Sequence, residues 1–414
     1  MPQVLAGYRV LDFTHVLSGP IATNFLCLLG ADVVKVESSI GDTMRNYGSK
    51  QATNGMGPSF VSVNSGKRSI VLDLKDPVHL GAVKKLMASA DVVVENFRPG
   101  VMDRLGLGYS ACRELKPDVV FCSVSGFGQA GPLKFNPAID QIIQSMSGLM
   151  NLSGEPGSPP IRIGFPVVDT YSGLLAAFAI VCALLQRERT GEGQCIDVAM
   201  FDAAMVMMIS VLGPYLVAGM KPEKQGNRGY SMSPTADTFP TGKGSITIGA
   251  VRQEQFELLC KVLGRPDLVA DPRYADRKLR FENGATLQAS VTEALVGKTA
   301  EQWERLLNDA GVAAGVVRDL SDAIELDHFD TRSLKIPLSV PGLDRENFEV
   351  LNAGFRLAHD APGVDRPPPR LGEHTREVLA EIGYSPAEIE AMLGKRRNEQ
   401  RRADGAVAGQ GGMK

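Results

Sequence analysis

The chain has 414 residues, a formal net charge of −3, 22% charged residues and 44% hydrophobic residues. This composition excludes a disordered chain and a coiled coil, and the near balance of charge argues against a protein whose main partner is nucleic acid. The six cysteines have no CxxC spacing, and the first residues do not have the pattern of a signal peptide. We therefore expect reduced thiols and a cytoplasmic location.

Val-rich runs alternate with helical patterns over the first 200 residues. The predicted strands are, in chain order, 8–13, 32–37, 68–74, 91–96, 118–126 and 195–200. Such runs, bounded by turn residues, are typical of strands buried on both faces of a parallel sheet. The predicted helices are 21–29, 77–90, 136–150, 170–188 and 202–220, with Pro214 expected to kink or end the last one. The longest apolar run has twelve residues, which suits a buried helix better than a membrane span. The alternation predicts the α/β class, with a Rossmann-like doubly wound domain.

The rest of the chain is predicted to contain a second unit between two linkers. Residues 1–220 are the first part of the large domain, and the polar stretch 221–240 is a linker. Residues 241–330 form a small domain, with strands at each end and an amphipathic helix around Trp303. The proline-rich stretch 331–371 is a second linker, helices follow within 372–394, and 395–414 is a disordered tail.

Several common nucleotide and hydrolase motifs are absent. The segment GLGYSA (106–111) follows no clear strand and opens no long helix, so it is not a dinucleotide fingerprint. Gly66-Lys67 lacks the upstream glycine and the following Ser or Thr of a P-loop. The sequence around Ser123 has no nucleophile elbow, and the five histidines are isolated, so no metal site is predicted.

Seven segments together resemble the class III CoA-transferases, the family that includes formyl-CoA transferase and carnitine CoA-transferase. They are VLDFTHVLSGP (10–20), LGADVVKVE (29–37), NSGKRSIVLDL (64–74), ENFRPGVMDRLGLGY (95–109), GFPVVDTYSG (164–173), GEGQCIDVAMFDA (191–203) and LGEHTREVLAEIGY (371–384). The resemblance implies a large CoA-binding α/β domain built from both chain ends, with 372–394 returning to it, and a smaller α+β domain. It also implies an interlocked homodimer.

The resemblance implies that Asp169 is the catalytic nucleophile. A carboxylate that attacks a thioester forms a mixed acyl anhydride and frees CoA thiolate, so CoA can move between acids without ATP. An unperturbed Asp is ionised at neutral pH, and the N-terminus of the predicted helix 170–188 is expected to stabilise its charge and supply N–H groups. From the local sequence alone, Asp169 reads as a helix N-cap. The family motif favours the nucleophile.

The same resemblance implies a site for CoA and its acyl thioesters, which are substrates rather than tightly bound cofactors. CoA carries a 3′-phosphate and a pyrophosphate, which basic side chains bind well. The implied contact residues are Val16, Asn96, Phe97, Arg98, Arg104 and Lys134. For each of these basic residues the alternative to a CoA contact is a solvated surface charge. For Lys67 and Arg68, which lie in a family motif, a structural ion pair is an equal alternative to a role in binding.

The chain departs from two relatives within this fold. Formyl-CoA transferases have Gln where this chain has Leu17, and a Tyr-Glu pair where it has Asn136-Pro137, which argues against oxalate/formate exchange. α-Methylacyl-CoA racemases have His where this chain has Ile139, and Ile139 cannot move a proton. Racemase-like chemistry and a non-catalytic acyl-CoA-binding protein remain the alternatives to CoA transfer.

The predicted substrates are succinyl-CoA, or a similar short acyl-CoA, and a small organic acid. Arg45 or Arg162 is a candidate partner for a distal carboxylate. Glycine-rich turns are expected to supply oxyanion donors, which the sequence does not identify. The family's glycine-rich lid corresponds to 249–256, which has no glycine run, so a lid role for this segment is doubtful.

Overall fold

The computed structural model describes residues 3–47, 56–341, 343 and 345–394, and the predicted tail 395–414 lies outside these residues. Its strands are β1 (Arg9–Asp12), β2 (Asp32–Glu37), β3 (Arg68–Val71), β4 (Val92–Glu95), β5 (Val120–Ser125), β6 (Gln194–Ala199), β7 (Ala236–Pro240), β8 (Ser245–Gly249), β9 (Ala314–Val316), β10 (Lys335–Ser339) and β11 (Asn347–Leu351).

Its helices are α1 (Ser18–Leu28), α2 (Pro58–Asn64), α3 (Pro77–Ser89), α4 (Val101–Arg104), α5 (Tyr109–Leu115), α6 (Asp140–Met146), α7 (Val167–Thr190), α8 (Met200–Met207), α9 (Ile209–Ala218), α10 (Gln253–Val262), α11 (Pro266–Ala270), α12 (Arg277–Glu282), α13 (Gly284–Leu295), α14 (Ala300–Asp309), α15 (Leu320–Ala323), α16 (Asp327–Thr331) and α17 (Thr375–Glu381). Residues 386–394 are also helical.

Six strands form one parallel sheet in the order β3-β2-β1-β4-β5-β6. The order reverses at β1, which pairs with β2 on one side and with β4 on the other. This is the doubly wound topology, so the predicted α/β class and Rossmann-like sheet are confirmed. Ligands of such sheets bind in the crevice outside the carboxyl ends of the strands at this reversal, here β1 and β4.

Alternate residues of the central strands fill two separate cores. Val10 and Val92 contribute to the core beneath α1 and α7, whereas Leu11 and Val93 contribute to the core beneath α3, α5 and α17. Successive side chains of a strand point to opposite faces, so a strand covered on both faces is apolar at most of its positions. The unbroken Val-rich runs of the sequence follow from this requirement.

Helices α1 and α7 approach each other closely at Gly173. A Cβ at this position would lie 2.6 Å from the backbone oxygen of Ser18 and 2.6 Å from Cγ2 of Ile21. Ser18 begins α1 directly after the loop that leaves β1, and Gly173 lies one turn after Asp169 on α7. The first turn of α1 therefore meets the second turn of α7 near the carboxyl edge of the sheet.

Helix α7 is long and apolar enough to span a membrane by length and composition alone, with a mean hydropathy of 1.9. One of its faces, which includes Ala176, Ala177, Ile180 and Leu184, is buried in the core against the sheet. This packing is that of a core helix in a doubly wound domain.

The C-terminal segment covers the outer edge of β3. The hydroxyl of Thr375 accepts the N–H of Val71, and the N–H of His374 donates to the carbonyl of Ser69. Arg68 pairs with Glu381 at 2.6 Å across the same contact. Unpaired strand edges promote aggregation, and this segment satisfies the edge with side chains from near the end of the chain.

The chain divides into two compact units. The first consists of Met1–Ser147, Gly164–Leu212 and Asp330–Lys414, and the second of Gly148–Ile163 and Gly213–Phe329. The second unit has an antiparallel sheet in the order β7-β8-β9, and its core includes Phe256, Leu287 and Trp303 from α10, α13 and α14. The elements predicted around Trp303 are present as β8, α10, α14 and β9.

The structure differs from the sequence predictions at three places. The predicted helix 202–220 is two helices that break at Met208, whereas Pro214 lies inside α9. At Met208 the backbone leaves helical geometry, with ψ at 19°. The predicted linker 221–240 ends in strand β7, and the predicted linker 331–371 contains the antiparallel hairpin of β10 and β11. Pro337 is tolerated in β10 because the hairpin has only two strands, so each has a free edge.

We expect Gly173→Ala to destabilise the protein by about 1–3 kcal/mol, because the added methyl would meet the backbone of α1. Gly81→Ala on α3 is the matched control, since nothing lies within 4 Å of its added Cβ. That variant should stabilise by about 0.5–1 kcal/mol through the helix propensity of Ala. Urea unfolding of both variants measures the difference, and equal effects would refute the close helix contact.

Candidate active site

The loop from β1 to α1 is fixed by buried charged side chains. Asp12 Oδ1 accepts the N–H of Thr14 at 2.8 Å and its hydroxyl at 2.6 Å. Lys35 Nζ, at the middle of β2, donates to the carbonyl oxygen of Thr14 at 2.6 Å. Both backbone groups of Thr14 are therefore satisfied by charged groups, and these bonds are stronger than bonds between neutral groups.

The next two residues of the loop are held in the same way. The Asn96 side chain accepts the N–H of His15 at 3.0 Å and donates to its carbonyl oxygen at 2.8 Å. Asp42 accepts the N–H of Val16 at 3.2 Å and forms an ion pair with Lys35 at 3.1 Å. The loop is thus tied to β1, β2, the segment after β2 and the end of β4.

Val16 has a φ of 69°, in the left-handed region that β-branched residues rarely adopt. Its side chain is exposed, so the strain is not required by packing in the core of this chain. Strained backbone that the surroundings hold in place is typical of functional positions. The predicted contact residue Val16 therefore lies at the β1 end of the crevice in a strained conformation.

A buried ion pair anchors this arrangement from below. Lys67 Nζ lies 3.1 Å from Asp12 Oδ2 and also donates to Thr23 and Asn64. Burial disfavours the charge of Asp12, but Lys67 and Lys35 outweigh it and hold its pKa at about 2. Burial lowers the pKa of Lys67 to about 8, against the attraction of Asp12. The pair is charged at neutral pH, so Lys67 is structural.

The predicted CoA-binding residues Asn96, Phe97 and Arg98 follow β4 directly. Asn96 is committed to His15, and the Phe97 ring lies 5.1 Å from the imidazole of His15. The N–H of Phe97 donates to Glu95 Oε2 at 2.8 Å, and burial raises the pKa of Glu95 to about 7. The predicted residues Val16, Asn96 and Phe97 therefore lie together at the β1–β4 crevice.

Two arginines extend from this crevice. Arg98 and Arg104 are exposed, and neither forms an ion pair with any residue that the structure describes. Gly100 separates them with a φ of 79°, and this turn starts α4. The two guanidinium groups are free to bind an anion.

Lys134 lies apart from this group, in the loop after β5. Its Nζ is 4.7 Å from the ring centroid of Phe135, and its side chain is partly buried. Strand β5 is the neighbour of β4, and both loops leave the carboxyl edge of the parallel sheet. Lys134 and the residues after β4 therefore share an edge.

Asp169 lies in the first turn of α7, where its neighbours are arranged by a second aspartate. Asp140 Oδ2 accepts the backbone N–H groups of Val168 at 2.8 Å and of Asp169 at 3.1 Å. Gln144 Nε2 donates to Asp140 Oδ1 at 2.5 Å. Asp140 thus caps α7 from the start of another helix, α6.

The cap leaves no free donor at the start of α7. The N–H of Val167 donates to Phe165, and that of Thr170 donates to Pro166. With those of Val168 and Asp169 bound to Asp140, all four N–H groups are used. The expectation that this helix end supplies N–H groups to the nucleophile is therefore wrong.

The environment of Asp169 raises its pKa. Burial and the charge of Asp140 bring the pKa of Asp169 to about 7, well above the ordinary value. The prediction that Asp169 behaves as an unperturbed carboxyl is therefore wrong. At neutral pH it is about half ionised, and its carboxylate accepts no hydrogen bond from the described residues. A desolvated carboxylate of this kind is a stronger nucleophile than one bound to water.

The two candidate arginines for a distal carboxylate have different surroundings. Arg45 is buried, pairs with Glu37 and lies 3.9 Å above the ring of Phe60, so its proposed role toward substrate is wrong. Arg162 is exposed and donates to the carbonyl of Ile163. The segment 249–256 forms the end of β8 and the start of α10, where Gln255 accepts two backbone N–H groups.

The sequence interpretation missed four residues that shape the site: Asp12, Lys35, Asp42 and Asp140. A signal was present for two of them. Asp12 and Lys35 are charged residues inside apolar parallel strands, where a charge is buried and must have a partner. Asp42 lies in a loop and Asp140 at a helix start, and the backbone N–H groups that they bind, of Val16 and of Val168 and Asp169, are brought near only by the fold.

Because Asp169 titrates higher in the folded than in the unfolded chain, its ionisation destabilises the fold. The penalty is absent below about pH 4, grows between about pH 4 and 7, and is complete above pH 7. We expect Asp169→Asn to be more stable than the wild type by about 1–3 kcal/mol at pH 8. The difference should shrink toward pH 4 in denaturant unfolding. A difference independent of pH would refute the raised pKa.

Comparison with known proteins identifies the family of this chain. Residues 5–375 match the model of CoA-transferase family III. The chain is 34% identical to succinyl-CoA:glutarate CoA-transferase of Mus musculus, over 94% of this chain and 89% of that protein. It is 38% identical to acetyl-CoA:oxalate CoA-transferase of Acetobacter aceti, over 91% of this chain and 95% of that protein.

A solved structure has the same fold. It is a CAIB/BAIF family protein from Brucella suis, 33% identical to this chain, with a TM-score of 0.84 over 92% of this chain and 100% of that one. The match of the family model spans both the crevice residues and Asp169. The chain belongs to the class III CoA-transferases, the family that its motifs resemble.

Proposed function

We propose that this CoA-transferase moves CoA from succinyl-CoA, or a similar short acyl-CoA, to a small dicarboxylic acid through an anhydride on Asp169. The observation that carries the mechanism is the environment of Asp169, whose carboxylate has a raised pKa and accepts no hydrogen bond from the residues that the structure describes. Relatives named as succinyl-CoA:glutarate and succinate–glutarate CoA-transferases support the substrate class.

The reaction is a series of balanced exchanges at the carbonyl carbons of the donor, of Asp169 and of the acceptor. The Asp169 carboxylate attacks the donor thioester and expels CoA thiolate, which leaves an anhydride between Asp169 and the donor acid. The thiolate then attacks the Asp169 carbonyl, which releases the donor acid and forms an aspartyl thioester. The acceptor carboxylate then attacks the aspartyl thioester and expels CoA thiolate, which leaves an anhydride between Asp169 and the acceptor. The thiolate attacks the acceptor carbonyl of this anhydride, which forms the new acyl-CoA and regenerates Asp169 as a carboxylate. No ATP is consumed, since each intermediate is an activated acyl group.

CoA binding is assigned to the crevice at the β1–β4 reversal. Val16, Asn96 and Phe97 line its inner part, and the unpaired Arg98 and Arg104 offer charge to the phosphates. Lys134, on the neighbouring loop, is a further candidate contact. The first turn of α1 meets α7 one turn after Asp169, which supports a thioester in this crevice reaching Asp169.

A homodimer is proposed for the working enzyme, as the family resemblance implies. The face of α7 opposite its core side exposes Leu174, Phe178 and Leu185, and α9 has no buried residue. Exposed apolar side chains grouped on a helix face are typical of an interface. We expect native mass spectrometry to give twice the 44.3 kDa chain mass. A monomer at micromolar concentration would contradict the proposal.

The anhydride predicts where oxygen atoms move. In a single turnover with succinyl-CoA and ¹⁸O-labelled glutarate, one label should pass from glutarate to the Asp169 carboxyl. Mass spectrometry of the peptide containing Asp169 should then show a gain of 2 Da. Asp169→Ala should form no glutaryl-CoA, whereas Asp202→Asn, an exposed aspartate in the first turn of α8, should remain active. Transfer without label in the protein would refute the anhydride.

Substrate and CoA contacts are tested with the same assay. Dicarboxylic acceptors should be used at least ~10-fold better in kcat/KM than monocarboxylic acids, because a second carboxylate adds a charged contact worth at least about 1.4 kcal/mol. Equal rates would contradict the dicarboxylate assignment.

Arg104→Gln should raise KM for acyl-CoA by roughly 5- to 10-fold with kcat little changed, since the phosphates are remote from the thioester.

A further inference from the structure

Asp140 is placed to control the nucleophile without touching a substrate. It is buried at the first position of α6, and its Oδ2 bonds the N–H groups of two consecutive residues of α7, Val168 and Asp169. Its Oδ1 accepts from Gln144, which is fully buried. Three donors on two oxygens suit an ionised carboxylate, which accepts only. The second of the two backbone bonds is to the nucleophile itself.

The bonds to Asp140 replace the cap that α7 lacks within its own sequence. The residue before the helix is Pro166, which makes no side-chain cap bond. A helix start without a cap frays, and Asp169 is the third residue of this helix. The position of the Asp169 carboxylate therefore depends on a residue 29 positions earlier in the chain.

The charge of Asp140 also acts on Asp169, and the described elements that pack most closely on α7 bring no cation to oppose it. Of the elements that pack on α7, α1 and β5 have no charged residue, α8 has Asp202 and β6 has Asp197. Asp202 is exposed, and Asp197 accepts the N–H of Gln129. Burial and Asp140 are the causes that raise the pKa of Asp169.

We propose that Asp140 is a positioning residue that fixes the first turn of α7, and with it the direction of the Asp169 carboxylate, and places a second negative charge beside the nucleophile. This inference rests on the proposed function, in which Asp169 attacks the thioester. Asp140 gains no bond to substrate and takes no proton in the reaction. It acts through the backbone of α7 and through its charge.

Two variants separate the cap from the charge. Asp140→Asn keeps an acceptor oxygen for the N–H groups of Val168 and Asp169 but removes the charge. For this variant the midpoint of the acidic limb in the pH profile of kcat/KM should shift to lower pH by about one unit or more. Its kcat at pH 8 should stay within ~5-fold of the wild type. Asp140→Ala removes both, so kcat should fall by roughly 10- to 100-fold with KM for acyl-CoA within ~3-fold. Asp202→Asn is the control and should change neither.

A readout independent of activity separates this proposal from the proposed function. The free energy of unfolding is measured against pH with and without Asp169→Asn, first in the wild-type protein and then in the Asp140→Asn variant. In each background, the difference caused by Asp169→Asn reports the titration of Asp169. Its midpoint should fall in the Asp140→Asn background even if no transfer is detected. An unchanged midpoint, or equal loss of kcat in Asp140→Asn and Asp140→Ala, would overturn the positioning role. If Asp140→Ala does not fold, Asp140→Asn still decides the outcome.

Discussion

The arrangement of the site depends on a group of charges buried under the carboxyl edge of the sheet. Asp12, Lys67, Lys35 and Asp42 form two ion pairs, and Asp12, Lys35 and Asp42 also bond backbone groups of the loop between β1 and α1. Removing one member of a buried pair leaves an unpaired charge and is strongly destabilising. The pairs therefore fix the loop geometry, with Val16 in a strained conformation at its end.

This solution differs from the usual one for the same fold. Many doubly wound domains shape the first βα loop with glycines, whose backbone freedom lets phosphates approach a helix N-terminus. Here the loop is THVLSG, and α1 begins without a glycine-rich turn. Side-chain bonds from Asp12, Lys35 and Asn96 replace glycine in setting the backbone path. The N–H groups of the four consecutive residues 13–16 all have partners, which restricts the backbone path of the loop.

Asp169, the proposed nucleophile, lies where ionisation is unfavourable. The first N–H groups of α7 would normally stabilise an anion, but they are bound to Asp140, and burial with a second carboxylate raises the pKa of Asp169. Destabilising a carboxylate in this way increases its reactivity and costs stability, a trade that is common at active sites. Functional sites are where local rules of folding are most often broken.

The Val-rich runs of the sequence predicted the parallel sheet and the helices on both faces, since strands buried on both faces are largely apolar. The sequence also marks Asp169 as the candidate nucleophile, through the family motif around it. It did not determine the hairpin of β10 and β11, because prolines there read as a linker. Only the tertiary structure decided the pKa of Asp169 and the roles of Asp140 and Arg45. Burial and charge at a residue depend on groups far along the chain, and those distances exist only once the chain has folded.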